Sequence, residues 1–145
     1  MDITKQLFSL LKERKSKKNQ SEIINLIEKV DVDSIDEHGN SILMVAILYK
    51  NEVIPEIIKK TKNINQTNYF GNNALLLALI NKNDTKTINL LISNGADMNQ
   101  KNKLGVAPIN IIAKYKVDNV LTNDIKEKIM KLKNKSNNSN NSGVI

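Results

Sequence analysis

The 145-residue sequence predicts an all-α solenoid of stacked helix–turn–helix units that are joined by short β-hairpins or turns. Three similar strings recur at spacings of 32 and 34 residues: HGNSILMVAIL (38–48), FGNNALLLALI (70–80) and LGVAPINIIAK (104–114). A small polar turn former stands three residues before each glycine, and apolar residues at helical spacing follow it. Because one such unit cannot bury its own apolar face, the units must stack on one another.

The chain begins with two amphipathic segments, residues 3–14 and 21–30, which predict an atypical N-terminal capping pair of helices. Their apolar positions are expected to face the core: Ile3, Leu7, Phe8, Leu10, Leu11, Ile23, Ile24, Leu26 and Ile27.

Each complete unit is predicted to hold two helices. The second helix of the first unit buries Ile54, Ile57 and Ile58, and Pro55 fits there only within the first turn. Asp84 is the expected N-cap of the corresponding helix in the middle unit.

That helix of the middle unit turns Ile88, Leu91 and Ile92 inward, and Asn94-Gly95 ends it. The last unit closes with a predicted helix at about 124–133. Asp124 and Glu127 form a capping-box-like pair at its start, and its expected core residues are Ile125, Ile129 and Leu132.

The predicted organisation is a single repeat domain, residues 1–133, followed by a tail. The domain divides into an N-terminal cap at 1–33 and repeats at about 34–66, 67–100 and 101–133. Residues 134–145 are rich in Asn and Ser and are expected to be disordered.

The repeated unit resembles the ankyrin repeat. Asn94-Gly95-Ala96-Asp97-Met98-Asn99 nearly reproduces the G-A-D-V-N element, Asp36-Glu37-His38-Gly39 matches D-x-x-G, and Ala107-Pro108-Ile109-Asn110 is an eroded T-P-L-H. Tetratricopeptide and HEAT-like solenoids are disfavoured by the hairpin signals and by the period near 33 residues.

The sequence departs from the T-P-L-H pattern of the family. Ser41-Ile42 and Asn73-Ala74 replace Thr-Pro, and Met44, Leu76 and Asn110 replace His. We expect these changes to remove turn hydrogen bonds and to lower stability without changing the fold.

The residues needed for catalysis or for metal binding are scarce. The chain has no Cys and one His, His38, which stands beside a turn glycine, and no glycine-rich phosphate loop is present. The acidic run DVDSIDE (31–37) fails as a calcium loop because Ile35 occupies the third ligand position. We therefore expect a non-enzyme without a catalytic site, cofactor or metal.

The net charge of +7 lies at the ends of the chain. Residues 1–18 and 114–145 each carry +4, whereas residues 19–113 sum to −1. The bias toward Asn, Lys and Ile is what an A/T-rich genome produces, so the basic run KERKSKK (12–18) is weak evidence for nucleic acid. Electrostatic nucleic-acid binding through the basic termini stays open as an alternative.

The sequence also bears on where the protein works. It has no apolar run long enough to span a membrane, and its N-terminus lacks the pattern of a secretory signal. We expect an intracellular, cytoplasmic monomer without membrane contact, in the host cell if the source is a virus or an intracellular organism.

The resemblance implies a protein–protein interaction module that binds through hairpin tips and inner helices. Four of the five aromatic residues map to that surface. The alternative role on the same surface is that of an effector or inhibitor of a host or cellular enzyme. The predicted partner-binding residues are Glu37, His38, Tyr49, Tyr69, Phe70, Ile80, Asn81, Lys103, Leu104 and Tyr115.

Overall fold

The computed structural model describes residues 2–13, 17–49 and 51–115, together with residues 123, 126, 127, 129–131 and 134. This part of the chain contains seven named helices: α1 (Ile3–Leu11), α2 (Lys17–Ile27), α3 (Ile42–Leu48), α4 (Ile54–Lys60), α5 (Ala74–Ile80), α6 (Thr85–Ser93) and α7 (Pro108–Tyr115). Among the described residues the only β-pairing is an isolated antiparallel bridge between Ile35 and Ser41. The predicted all-α repeat architecture is confirmed.

The helices form two layers. The inner helices α3, α5 and α7 pack side by side, with α1 against α3, and the outer helices α4 and α6 pack on each other and on their own inner helices. One continuous apolar core runs through the stack from Leu7 to Ile129. Burial of this shared core stabilises units that could not fold alone.

The N-terminal capping pair forms with shifted bounds, since α1 ends at Leu11 and α2 begins at Lys17. The Asp2 side chain caps α1 by accepting from the Thr4 backbone N–H at 2.9 Å. Ile3 and Ile24, which were expected in the core, are exposed. Ile24 lies about 100° around the helix from the buried Ile23, which places it at the edge of the apolar face.

The helix starts recover hydrogen bonds that the sequence was expected to have lost. Ser41 caps α3 by accepting from the Met44 backbone N–H at 3.2 Å. Asn73 caps α5 through the Leu76 N–H at 2.8 Å, and its amide also donates to the Asp97 carbonyl oxygen at 3.0 Å. The expectation that these substitutions remove turn hydrogen bonds was therefore wrong here, because Ser and Asn are good N-caps.

In the third unit the start of α7 is capped by a side chain from within the helix. Ala107 has no capping side chain, and its backbone N–H donates instead to the Asn110 side-chain oxygen at 2.8 Å. This is the half of a capping box in which a side chain of the first turn reaches back to the helix start.

The outer helices follow their predicted patterns. Pro55 lies in the first turn of α4, and Ile54, Ile57 and Ile58 are buried. Asp84 caps α6 through the Thr87 N–H at 2.9 Å. Ile88, Leu91 and Ile92 face the core, and Gly95 follows the helix with φ of +92°.

The end of the third unit is described only in part. Residues 126, 127 and 129–131 are helical, and Ile129 is buried. Asp124, Ile125 and Leu132 lie outside the described residues, as does the predicted tail apart from Asn134.

The inner helix α5 ends in a Schellman motif with an unusual residue at its left-handed position. The Asn83 N–H donates to the Ala78 carbonyl oxygen at 2.9 Å, and the Lys82 N–H donates to that of Leu79 at 3.3 Å. Lys82 has φ of +53°, the left-handed region where a Cβ costs about 1–2 kcal/mol.

We predict that Lys82→Gly raises the free energy of unfolding by about 1 kcal/mol, because glycine removes this strain. The matched control Lys86→Gly lies in α6 and should lower it by up to about 1 kcal/mol. Urea unfolding at constant m-value measures both. A lower free energy of unfolding in Lys82→Gly would show that the backbone at residue 82 is not strained.

Candidate partner-binding surface

Three turns precede the inner helices: hairpin 1 (residues 35–41), hairpin 2 (67–73) and hairpin 3 (101–107). In hairpin 1 the Asp36 carboxylate accepts from the backbone N–H groups of His38 and Asn40, each at 2.9 Å. The Gly39 N–H donates to the Asp36 carbonyl oxygen at 3.1 Å, with φ of +76° at the glycine. The side chain thus closes the turn as an Asx motif.

Hairpins 2 and 3 repeat this scheme with asparagine. The Asn68 side-chain oxygen accepts from the N–H groups of Phe70 and Asn72, each at 3.1 Å. The Asn102 oxygen accepts from Leu104 at 3.0 Å and from Val106 at 2.9 Å.

The hairpins stack through backbone hydrogen bonds. The Tyr69 N–H donates to the His38 carbonyl oxygen at 3.2 Å, and the Lys103 N–H donates to that of Phe70 at 3.1 Å. Each bond joins the first tip residue of one hairpin to the second tip residue of the hairpin before it. The tips therefore form one connected row.

Asparagine side chains reinforce the stack. The Asn68 amide donates to the Asn40 side-chain oxygen at 2.9 Å, and the Asn102 amide donates to that of Asn72 at 2.8 Å. A carboxylate can close a turn but has no N–H to donate. In hairpin 1 the side chain at this position only has to close the turn, because the capping pair and not another hairpin precedes it. Asp36 can therefore take the place of asparagine there.

The tips present six of the predicted partner-binding residues as one surface, which we call the tip ridge: Glu37, His38, Tyr69, Phe70, Lys103 and Leu104. Tyr69 is 57% exposed, Phe70 64% and Leu104 88%. The ridge thus carries three large, accessible apolar side chains on a hydrogen-bonded frame.

The ring of Tyr69 packs on the preceding hairpin. A Cβ built on Gly39 would lie 2.7 Å from Tyr69 Cδ1, so the ring covers the face of the glycine. Tyr69 therefore combines a packing contact with an exposed edge, while Phe70 beside it is the freer of the two.

The inner helices α3 and α5 contribute surface at their C-terminal ends, where the sequence predicted Tyr49 and Ile80. Every residue of α3 from 42 to 47 and of α5 from 74 to 79 is buried. Only the C-terminal ends are accessible, where Tyr49 and Ile80 are exposed together with Leu48, which the pattern did not single out. We call these three residues the helix-end patch; the length of α5 separates it from the tips by about 10 Å.

Two predicted residues near this patch differ from the others. The Asn81 amide donates to the carbonyl oxygens of Ile47 at 3.0 Å and of Leu48 at 3.1 Å, so it ties α5 to the end of α3. Tyr115 is the last residue of α7, and its side chain lies outside the described residues.

A groove of about 540 Å³ separates α1 from hairpin 1. Its apolar lining comes from Phe8 and from Ile35, which is 46% exposed. The sequence pattern did not indicate this groove. The sequence does differ at one position here. Hairpin 1 has the apolar Ile35 directly before Asp36, whereas hairpins 2 and 3 have Thr67 and Lys101 at the equivalent position.

The histidine and the acidic side chain of the tip ridge are exposed to solvent. His38 Nε2 lies 3.6 Å from Glu37 Oε1, and both side chains are mostly exposed on a hairpin tip. Within the described residues, no three His, Cys, Asp or Glu side chains are grouped to hold a metal ion. No helix in that part of the chain is long and apolar enough to cross a bilayer.

The contact of Tyr69 with Gly39 gives a matched pair of substitutions. Gly39→Ala and Gly105→Ala impose similar strain, since φ is +76° and +78°, but a Cβ at Gly105 would meet nothing within 4 Å. We predict a loss of about 1–2 kcal/mol for Gly105→Ala and about 1–3 kcal/mol more for Gly39→Ala, which must displace the ring. Equal losses in thermal unfolding would disprove the packing contact.

Comparison with known families agrees with this architecture. A family model of ankyrin repeats, in three copies, matches residues 14–102, which is more than half of the chain. No curated protein matches the sequence. Ankyrin repeats are generally protein–protein interaction modules and are typically non-catalytic. With its stacked helix pairs and hydrogen-bonded hairpins, the chain belongs to the ankyrin repeat family.

Proposed function

We propose that this protein is a non-catalytic interaction module that binds a partner protein through the tip ridge. The observation that carries the proposal is the exposure of Tyr69, Phe70 and Leu104, at 57%, 64% and 88%, on adjacent hairpins. Large apolar side chains grouped on a surface are typical of sites that a partner covers.

The frame beneath these side chains supports the same proposal. The tips are joined by the Tyr69–His38 and Lys103–Phe70 backbone hydrogen bonds, of 3.2 and 3.1 Å. Aromatic side chains on a rigid frame lose little conformational freedom on binding, which favours affinity. The tip ridge is thus preorganised for recognition.

The polar tip residues are suited to orient the partner. Glu37 and His38 flank the aromatic pair on one side, and Lys103 flanks it on the other. Exposed charges at the rim of an interface act mainly on the association rate and on specificity. We assign anchoring to Tyr69 and Phe70 and orientation to these polar neighbours.

Two alternative roles differ from this one, the first in what the partner does and the second in the surface used. An effector or inhibitor of a cellular enzyme would use the tip ridge in the same way and would differ in what its partner does. Nucleic-acid binding would use the terminal lysines instead; Lys12, Lys17 and Lys18 are exposed, and residues 14–16 lie outside the described residues.

Affinity capture from a cell lysate tests the proposal, with the wild type and Tyr69→Ser/Phe70→Ser as parallel baits. The matched control is Tyr49→Ser/Ile80→Ser, which alters exposed side chains of the helix-end patch. We predict that the wild type and the control capture the same protein and that the tip variant loses at least about tenfold of it, as expected for hot-spot anchors.

Circular dichroism first shows that all three baits are folded. Undiminished capture by the tip variant would contradict the proposal, and loss only in the control would move the site to the helix-end patch. Recovery of nucleic acid alone, falling steeply as salt is raised, would instead assign the function to the basic termini.

A further inference from the structure

We propose that two copies of this chain associate through their tip ridges in a closed two-fold dimer, with hairpin 1 of each copy against hairpin 3 of the other. The dimer buries the same tip ridge that the partner protein is proposed to bind, so the second copy and the partner compete for it, and the dimer departs from the monomer expected from the sequence. It rests on the order of chemical types along the ridge and on a groove at one end of it.

The tip ridge changes character from one hairpin to the next. Hairpin 1 carries the acidic Glu37, hairpin 2 the aromatic Tyr69 and Phe70, and hairpin 3 the basic Lys103 with Leu104. The same backbone hydrogen bond joins hairpins 1 and 2 as joins hairpins 2 and 3. Along the row of tip residues, Tyr69 therefore lies midway between Glu37 and Lys103.

This order is self-complementary under a two-fold rotation. An axis through hairpin 2 exchanges hairpins 1 and 3, so Glu37 of each copy faces Lys103 of the other. The Tyr69 rings of the two copies meet near the axis, with Phe70 beside them, where aromatic side chains contact each other favourably. A single arrangement thus satisfies both charges and buries the exposed apolar centre.

The shapes at the two ends of the ridge are also complementary. Leu104, 88% exposed, projects from hairpin 3. Hairpin 1 borders the groove of about 540 Å³, and Phe8 and Ile35 supply its apolar lining. The two-fold axis that pairs Glu37 with Lys103 brings Leu104 of one copy beside this groove in the other.

The remaining charges around the groove are mixed. Lys5 and Lys12 line its α1 side, and Asp2, Asp36 and Glu37 also border it. Residues 19–113, which contain all three hairpins, sum to −1, so the repulsion between copies comes from the basic ends of the chain. Physiological salt screens that repulsion more than it weakens contacts buried in the interface.

Sedimentation equilibrium of the full chain in about 0.15 M salt tests the dimer. The concentrations run from about 5 to 500 µM, because an interface of a few tip residues is small and predicts a micromolar Kd. We expect a monomer–dimer equilibrium that Phe70→Ser weakens at least about tenfold.

Charge reversal tests the pairing itself. Glu37→Lys and Lys103→Glu should each weaken the dimer about tenfold, because each places like charges together at both ends. An equimolar mixture of the two variants should regain the wild-type Kd within about threefold, since every reversed charge then faces an opposite one. Tyr49→Ser and Lys59→Glu, which lie off the ridge, are the controls and should leave the Kd unchanged.

Four results would overturn the dimer: monomer mass at all concentrations, a Kd equal in every variant, no recovery in the mixture, or growth beyond two copies. If the chain sediments as a monomer and the Tyr69→Ser/Phe70→Ser bait still fails to capture the partner protein, only the dimer is disproved. The proposed binding function would stand in that case.

Discussion

The surface of this protein depends on asparagine side chains that each make two kinds of hydrogen bond. The oxygen of Asn68 closes hairpin 2, while its amide donates to Asn40 of hairpin 1 at 2.9 Å. Asn102 does the same between hairpins 3 and 2. Because turn closure and stacking share one side chain, the conformation of each tip and its position relative to the next are fixed together.

This arrangement explains why the exposed apolar residues lie at the tips. The inner helices α3 and α5 are buried along almost their entire length, so they serve the core and offer only their C-terminal ends to solvent. The tip side chains point away from the core and are free to vary without loss of packing, apart from Tyr69, which rests on Gly39. The packing that stabilises each unit and its exposed tip side chains therefore lie in different parts of the unit.

The repeat period and the helical spacing of apolar residues were sufficient to predict the fold and most of the core, because both are local patterns. The tip residues followed from their place between Asp36 or Asn68 and the turn glycine. Contacts between units were beyond such patterns: the groove beside Ile35 and the bonds from Asn81 to α3. Those features depend on which residue of a neighbouring unit or turn comes within reach, and one unit's sequence does not encode that.

Amide hydrogen exchange at Tyr69 and Lys103 tests most directly whether the tips form one rigid row. Both N–H groups donate to the preceding hairpin, and the Leu77 N–H, bonded to the Asn73 carbonyl oxygen at 3.1 Å, is an internal reference in α5. We predict that the Tyr69 and Lys103 amides open only with the repeats, with protection close to that of Leu77. Exchange of the two tip amides near the unprotected rate, while Leu77 stays protected, would contradict it.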